Sequence, residues 1–496
     1  MALMTKLRAN TKAILVAAGV ILVIGTVAAS FAMAGSSSKA QSRYVAEING
    51  TKIDREQFEK DFFFVWQQQN QMSYGQLTGL DQEPLRAQYL MQILMREALL
   101  DEAKELKLDA AKEDIEAELK KIEDSVGGAE ELIARLEMMG ISLDTLKKDI
   151  KESLIFQELQ EKLTKDITVT DEEIRFQLEE VTASHILVED EALANDLYQK
   201  LQDGADFAEL AKENSVDPGS KDKGGELGSF GKGAMVKEFE DAAFALQDGD
   251  ISKPVKTQYG YHIIKVTEHK TADEATFEEK KEEIKETLLN NKKNETLSKY
   301  ITDLKDKSKI KIYDPQIRAW HEMSEGKIDA AIKSYTEAQK GKPADPYIMA
   351  SLAEAYQKKG DLDKAWDYYK EAATNASEPA VKINMAMVGQ TKIQNIINAQ
   401  ETDEQKSIDE WAKENDEIST IYAEVSKALI DASEGASDNI WTHYQIAQIF
   451  NIFGDKENSQ AEMDKIKAIT EKLQAEEAED ETTDADTSDT DEASKE

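Results

Sequence analysis

Residues Gly224–Glu240 read GGELGSFGKGAMVKEFE, five glycines set among one leucine, one methionine and two phenylalanines. Glycines at this density either cradle a phosphate or bend the chain so that apolar side chains can meet. A phosphate loop of the Walker type requires GxxxxGK followed by Ser or Thr. Here Gly231-Lys232 is followed by Gly233, and Glu226 stands where that pattern has its first glycine. The glycines therefore serve bending, and the flanks show what is bent. ASHILV, from Ala183, reads as a strand, and EALANDLYQKLQDG as a helix ending at Gly204. DFAELAKENS is a second helix, VKEFEDAAFAL a third, and GYHIIKV a closing strand. Residues 181–270 thus alternate short strands and helices, a small α+β domain.

Upstream, residues 42–180 read as a helical domain. Val45 to Ile48 alternates apolar and polar, Asn49-Gly50 is a tight turn, and Asp54 with Gln57 reads as a capping box opening a helix. From about Leu85 to Leu163 the pattern is helical, punctuated at Gly127-Gly128 and Gly140, and Thr170 with Glu173 caps a further helix. Before this domain, Lys6, Arg8 and Lys12 precede an uncharged run from Ala13 to Ala34. Its 22 residues, at about 1.5 Å each, suffice to cross a bilayer core. The flanking charge places residues 1–12 in the cytoplasm and the bulk of the chain outside, as a single-pass anchor. The alternative is a signal peptide cleaved after Ala32-Met33-Ala34, which leaves the chain secreted.

Downstream, residues 271–312 are charged and helical, closing on the strand-like KIKIY. Then Gly326, Ala331, Tyr335 and Ala338 recur 34 residues later as Gly360, Ala365, Tyr369 and Ala372. That period and residue pattern is that of tetratricopeptide-like (TPR-like) helix hairpins, over 313–380. Residues 381–470 continue as helix, with a degenerate unit around IAQIFNIFGDKENSQ whose Gly454 is out of phase. Residues 471–496 hold twelve acidic residues against two lysines and read as a disordered tail.

Bulk composition narrows the function. A net charge of −38 over 496 residues argues against a nucleic-acid partner. The chain has no cysteine, which removes disulfides, thiolate nucleophiles, thiolate metal ligands and cysteine-borne lipid. None of its five histidines forms an HExxH pair, so no metal site is expected.

With its flanks, SVDPGSKDKGGELGSFGKGAMVKEFEDAAFALQDGDISKPVKTQYGYHIIKV, the opening stretch resembles a parvulin-type (PpiC-type) peptidyl-prolyl cis–trans isomerase domain. The resemblance implies that His185 and His262 are the paired histidines of that fold, and that Asp217 stands where some members carry cysteine. His185, Asp217 and His262 are then the catalytic candidates. Whether the histidines touch the substrate or hold the sheet and tune Asp217 stays open. Leu227, Met235 and Phe239 correspond to the pocket for the proline ring, and Thr257 and Tyr259 to residues lining the same cleft. With no thiol at 217, the implied route is noncovalent distortion of the amide, and no cofactor is called for. Members that read phosphoserine or phosphothreonine do so with a basic cluster after the first strand. Here that segment is VEDEALAND, which is acidic. VAEINGTKIDREQFEKDF further resembles the opening of the chaperone domain in PrsA-type and SurA-type extracytoplasmic foldases, into which the isomerase is inserted. The implied function is a foldase that isomerises X–Pro bonds and binds unfolded, proline-containing clients. The alternatives are an inactive holding chaperone and an envelope scaffold, with the TPR-like repeats binding a protein partner.

Overall fold

The structure, a computed structural model, describes residues 42–73, 77–138, 141–343, 345–400 and 406–487. The expected anchor or signal segment at 13–34, the residues before it and Gly140 lie outside these. Among the described residues no helix is long and apolar enough to cross a membrane. The protein is mostly helical with two small sheets, and it divides into two compact units. One is built from the chain up to Phe156 and from Leu304 onward, the other from Gln157–Asp303.

The first unit opens on a hairpin of β1 (Tyr44–Ile48) and β2 (Thr51–Asp54). Asn49 and Gly50 both take positive φ, the requirement of its two-residue turn. Asp54 caps α1 (Arg55–Met72) by accepting from the Glu56 and Gln57 backbone N–H groups. The expected reciprocal half of a capping box is not made, because the Gln57 amide donates to Asp61 instead, at 2.7 Å. There follow α2 (Gly79–Glu105), α3 (Lys112–Val126), α4 (Ala129–Met138) and α5 (Leu143–Thr164). Along α2, Ala87, Leu90, Leu94 and Ala98 are buried at helical spacing. Leu119, Leu132, Leu136, Leu146 and Ile150 join α3 to α5 in one core.

The second unit takes in the end of α5 from Gln157, then α6 (Asp171–Gln177), held by a full Thr170–Glu173 capping box. It continues with β3 (Glu180–Val188), α7 (Glu191–Gln202), α8 (Phe207–Asn214), β4 (Glu226–Gly231), α9 (Lys237–Phe244), β5 (Val255–Thr257), β6 (Gly260–Lys270) and α10 (Glu274–Lys307). The sheet is antiparallel in the order β4-β3-β6-β5. The two-residue period of β3 and β6 divides its core. Val181, Ala183, Ile264 and Val266 pack with Phe239 and Phe244 of α9. Ile186, Val188 and Ile263 pack with Leu197 of α7 and Phe207 of α8.

The chain then returns to the first unit. β7 (Ile310–Ile312) pairs antiparallel with β1, completing a sheet ordered β2-β1-β7. Helices α11 (Pro315–Ser324), α12 (Ile328–Gly341), α13 (Pro346–Lys359), α14 (Leu362–Asn375), α15 (Pro379–Asn398), α16 (Ile408–Ala412), α17 (Asp416–Gly435), α18 (Ile440–Phe453) and α19 (Lys456–Thr487) follow. α11 packs on α12, α13 on α14, α15 on α17 and α18 on α19. The residues that repeat every 34 positions take matching places. Gly326 and Gly360 supply left-handed turns, Ala331 and Ala365 are fully buried, and Tyr335 and Tyr369 fill the cores of their hairpins. The acidic segment expected to be disordered from residue 471 is instead helical as far as Thr487. Its glutamates and alanines are good helix formers, and extending a helix already nucleated costs little.

Glu83 joins α2 to the hairpins. Its buried carboxylate accepts from the Tyr335 hydroxyl at 2.5 Å, the Gln316 amide at 3.0 Å and the Ser351 hydroxyl at 2.9 Å. Those donors sit on α12, α11 and α13. Burial raises the Glu83 carboxyl to about 7 against the pull of these hydrogen bonds. A carboxyl raised in the folded state adds stability below its ordinary range near 4.5, and loses it as pH climbs through 7. Glu83→Ala strands three buried donors and is expected to cost about 2–3 kcal/mol, while Glu83→Gln costs about 1 kcal/mol or less. Urea denaturation of the three chains measures this. The Glu83→Gln chain should also lose the part of the pH dependence that lies between 4.5 and 7.

Candidate active site

The period of the strands places both paired histidines. His185 on β3 and His262 on β6 share the sheet face that α9 covers, and in the register Leu187 pairs with His262 and His185 with Ile264. The histidines are thus diagonal neighbours, their Nδ1 atoms 3.1 Å apart with one proton between them. Phe239 of α9 stands edge-on to both rings, its centroid 5.7 Å from His185 and 5.2 Å from His262, with planes at 80°.

The far ends of the two rings continue the line. His185 Nε2 donates to Asp217 Oδ2 at 2.9 Å. His262 Nε2 is hydrogen bonded to the Thr257 hydroxyl at 2.9 Å, which accepts the Tyr259 backbone N–H at 3.1 Å. The loop carrying Asp217 is fastened to β3. The Leu187 N–H donates to the Ser215 hydroxyl at 3.2 Å, and the Val216 N–H to the Leu187 carbonyl at 2.8 Å. Asp217 also accepts from the Ser220 hydroxyl, from the Ser220 N–H at 3.1 Å and from the Gly219 N–H at 3.3 Å. Burial opposes ionisation of Asp217, but the hydrogen bonds from Ser220 and His185 outweigh it and bring the carboxyl to about 2. Burial, then the neighbouring His185, lower His262 to about 4, so it is neutral at physiological pH.

The bending role expected of the glycines falls mainly on Gly225. It has φ +86°, its carbonyl accepts the His185 N–H at 2.8 Å, and a Cβ there would lie 2.3 Å from the His185 carbonyl oxygen. Only glycine lets the chain turn this close to the histidine strand. Leu227 and Met235, both beyond this bend in the chain, pack half-buried against the core that contains Phe239 and Phe230. Thr257 is buried. Tyr259 differs from a wall residue, since its side chain is 61% exposed and it meets the polar line only through its backbone. The remaining histidines lie elsewhere. His269 pairs with Glu179, His321 is half-buried on α11, and His443 is buried against Glu462. Ser215 and Ser220 were not singled out from sequence. Their signal was the turn Asp217-Pro218-Gly219-Ser220, whose aspartate bonds its own backbone two and three residues on.

Asp217 and His262 both bind a proton more readily in the unfolded chain, so both make this unit more stable as pH rises. The contribution of His262 is lost as pH falls from about 6.5 to about 4, and that of Asp217 from the ordinary carboxylate range to about 2. Histidine-selective NMR should find one of the five imidazoles neutral down to about pH 4, reassigned to His262 by its loss in His262→Asn. A His262 midpoint at or above 6 would contradict the buried line.

A family model described as a PPIC-type PPIASE domain matches residues 163–270, and one described as a SurA-like N-terminal domain matches residues 3–160. Foldase protein PrsA of Caldanaerobacter subterraneus subsp. tengcongensis is 38% identical over 284 residues, covering 55% of this chain and 88% of that relative. Foldase protein PrsA 3 of Bacillus anthracis is 32% identical over 311 residues, covering 62% of this chain and 96% of the relative. The crystal structure of the peptidylprolyl isomerase PrsA from Bacillus cereus shares 32% identity, covering 54% of this chain and 93% of that one, with a TM-score of 0.29. By the extent and identity of these matches, the chain belongs to the PrsA family of foldases.

Proposed function

We propose that this protein is an extracytoplasmic foldase that catalyses cis–trans isomerisation of X–Pro bonds in secreted or envelope proteins and binds them while unfolded. The observation that carries the reading is the hydrogen-bonded line Asp217–His185–His262–Thr257, running beside the apolar group of Leu227, Met235 and Phe239. The N-terminal run at 13–34 either anchors the chain by a single span or is removed as a signal peptide, and the TPR-like hairpins offer a surface to a protein partner.

Rotation about an X–Pro bond must overcome amide resonance, a barrier of about 18–20 kcal/mol. Uncatalysed, it takes tens to hundreds of seconds. That resonance places negative charge on the carbonyl oxygen. An ionised Asp217 beside the carbonyl disfavours the charge-separated form, and so favours the twisted amide over the planar one. Leu227, Met235 and Phe239 grip the proline ring while the rest of the amide turns. His185 holds Asp217 in place through its Nε2–H, and neutral His262 behind it brings no charge to the line. No covalent bond is broken, so neither a thiol nor a cofactor is needed.

The test is exchange NMR on a short, unphosphorylated X–Pro peptide with the full chain. The native chain should accelerate exchange. Asp217→Ala and Met235→Ala should each lower the rate about tenfold or more, the first by removing the charge and the second by loosening the ring pocket. A folded chain that gives no acceleration would make this a holding chaperone.

A further inference from the structure

Helices α15 and α18 pack side by side and differ in chemistry from the rest of the molecule. The 14 residues of α18, IWTHYQIAQIFNIF, include no Asp, Glu, Lys or Arg, and the 20 residues of α15 include no acid. This is in a chain that carries 99 Asp and Glu. One side of α18 is core, through Ile446, Phe450 and Phe453. The other leaves Trp441 65%, Tyr444 41% and Ile452 50% exposed, with Gln448 between them at helical spacing. The Trp441 and Tyr444 rings stack on each other, centroids 5.7 Å apart and planes at 23°. On α15, Met387 is 51% exposed. The start of α18 is held firmly. Buried His443 is bonded through Nδ1 to Glu462 at 2.6 Å and through Nε2 to the Ser437 carbonyl at 2.9 Å.

A second helix of the same build shows what such a face takes. α13 also has 14 residues, an Asp or Asn N-cap and a left-handed glycine at its end: Asp345 and Gly360, against Asn439 and Gly454 for α18. Tyr347 lies two residues past the α13 cap and Ser351 six, the places that Trp441 and Gln445 hold on α18. On α13 those places are covered by the protein's own chain. A Cβ on Gly79 of α2 would fall 2.0 Å from the Tyr347 ring, and Ser351 bonds Glu83 of α2 at 2.9 Å. On α18 the first of these places is open, with Trp441 exposed, and the second, Gln445, is half-buried.

We propose that the α15–α18 face docks uncharged, apolar stretches of unfolded client polypeptide, continuing the face that α2 already covers on α11 and α13. The proposal rests on the foldase reading. The occupant follows from charge. α18 carries no ionised group to pair with an acidic segment such as residues 488–496, Lys392 of α15 is already paired with Asp363, and burying charges unpaired against the Trp441–Ile452 row is costly. A second copy carries the same −38 and is repelled at long range. Exposed Trp and Tyr at fixed positions suit capture of apolar side chains, and the Gln448 amide can bond a peptide backbone.

The test uses the full chain and a fluorescein-labelled, proline-free peptide of 15 or so Ser, Ala and Gly residues carrying three Phe and no charge, read by anisotropy. The double variant Trp441→Ala/Tyr444→Ala should raise its Kd at least fivefold, and Ile452→Ser should raise it in the same direction. Replacing the three Phe by Glu should abolish binding to the native chain. Both substituted aromatics are exposed, so thermal melts should be unchanged. A Kd that rises less than fivefold in the double variant overturns the proposal. So does undiminished binding of the glutamate peptide, or sedimentation showing that the native chain self-associates and the double variant does not. Exchange of a short X–Pro peptide, measured on the same samples, should be equal in native and double-variant chains. If it is absent in all of them the foldase reading fails, while the peptide-binding result stands or falls by itself.

Discussion

Strand β1 sets the constraint on which the helical unit depends. It lies between β2, which follows it immediately, and β7, which arrives only after the whole isomerase unit. The Tyr313 hydroxyl, donating to Glu47 at 2.7 Å, closes a loop of 266 residues. Arg55 at the start of α1 pairs with Asp314 at 2.5 Å, and that same carboxylate caps α11 through the Gln316 and Ile317 N–H groups. Closing so long a loop carries an entropic cost, but one that grows only slowly with length. An inserted domain that folds by itself shortens the effective loop further, because its own ends are already fixed. The long connection is therefore compatible with a stable first unit, provided that β7, α11 and their partners bury enough surface on return. Ile48, Ile312 and Ile317, all buried, supply part of it.

Two carboxyls, Asp217 of the isomerase unit and Glu83 of the helical unit, are held in opposite ways. In the isomerase unit, the carboxyl of Asp217 is surrounded by donors on an accessible loop, and it stays charged. In the helical unit, Glu83 is buried among neutral donors without a cation beside it, and desolvation dominates. Acid removes the contribution of Asp217, and base that of Glu83. A site that acts through a fixed negative charge requires the first arrangement. A joint that only has to hold helices together is served by the second, whose three hydrogen bonds fix geometry with little demand on charge.

The isomerase unit was largely legible from sequence because its determinants are local. The parvulin resemblance pointed to His185 and His262 as a pair, which the register of β3 and β6 then places on one sheet face, and the glycine run at 224–233 announced a bend. What escaped was set by contacts distant along the chain. Ser215 looks like an ordinary loop serine until the Leu187 backbone is brought beside it, and Ser220 until His185 is, at 3.0 Å. Glu83 stands in DQEPL, a stretch that reads as a solvated first turn. Nothing near it reveals that Tyr335, 252 residues on, will cover it. The tail misled in the other direction. Its composition cannot build a core, but a helix extended from α19 needs none.

The 34-residue pattern likewise predicted hairpins better than it predicted what they do. Read alone, repeats after residue 313 suggest a platform appended to a foldase. In the structure their first members are part of the foldase body, with Gly79 seated on Tyr347 and Glu83 bonded to α11, α12 and α13. The residue types differ along the array accordingly. Where α2 covers it, the surface offers hydroxyls and an amide to one buried carboxylate. Beyond α2 it offers Met387, Trp441 and Tyr444 on two helices that carry no acid. A surface that evolved only to stay soluble in a chain of this acidity would carry acid there, as most of the rest does. Its absence on two adjacent helices, beside a face already closed by polypeptide, is the feature that a simple packing role for these hairpins leaves without a cause.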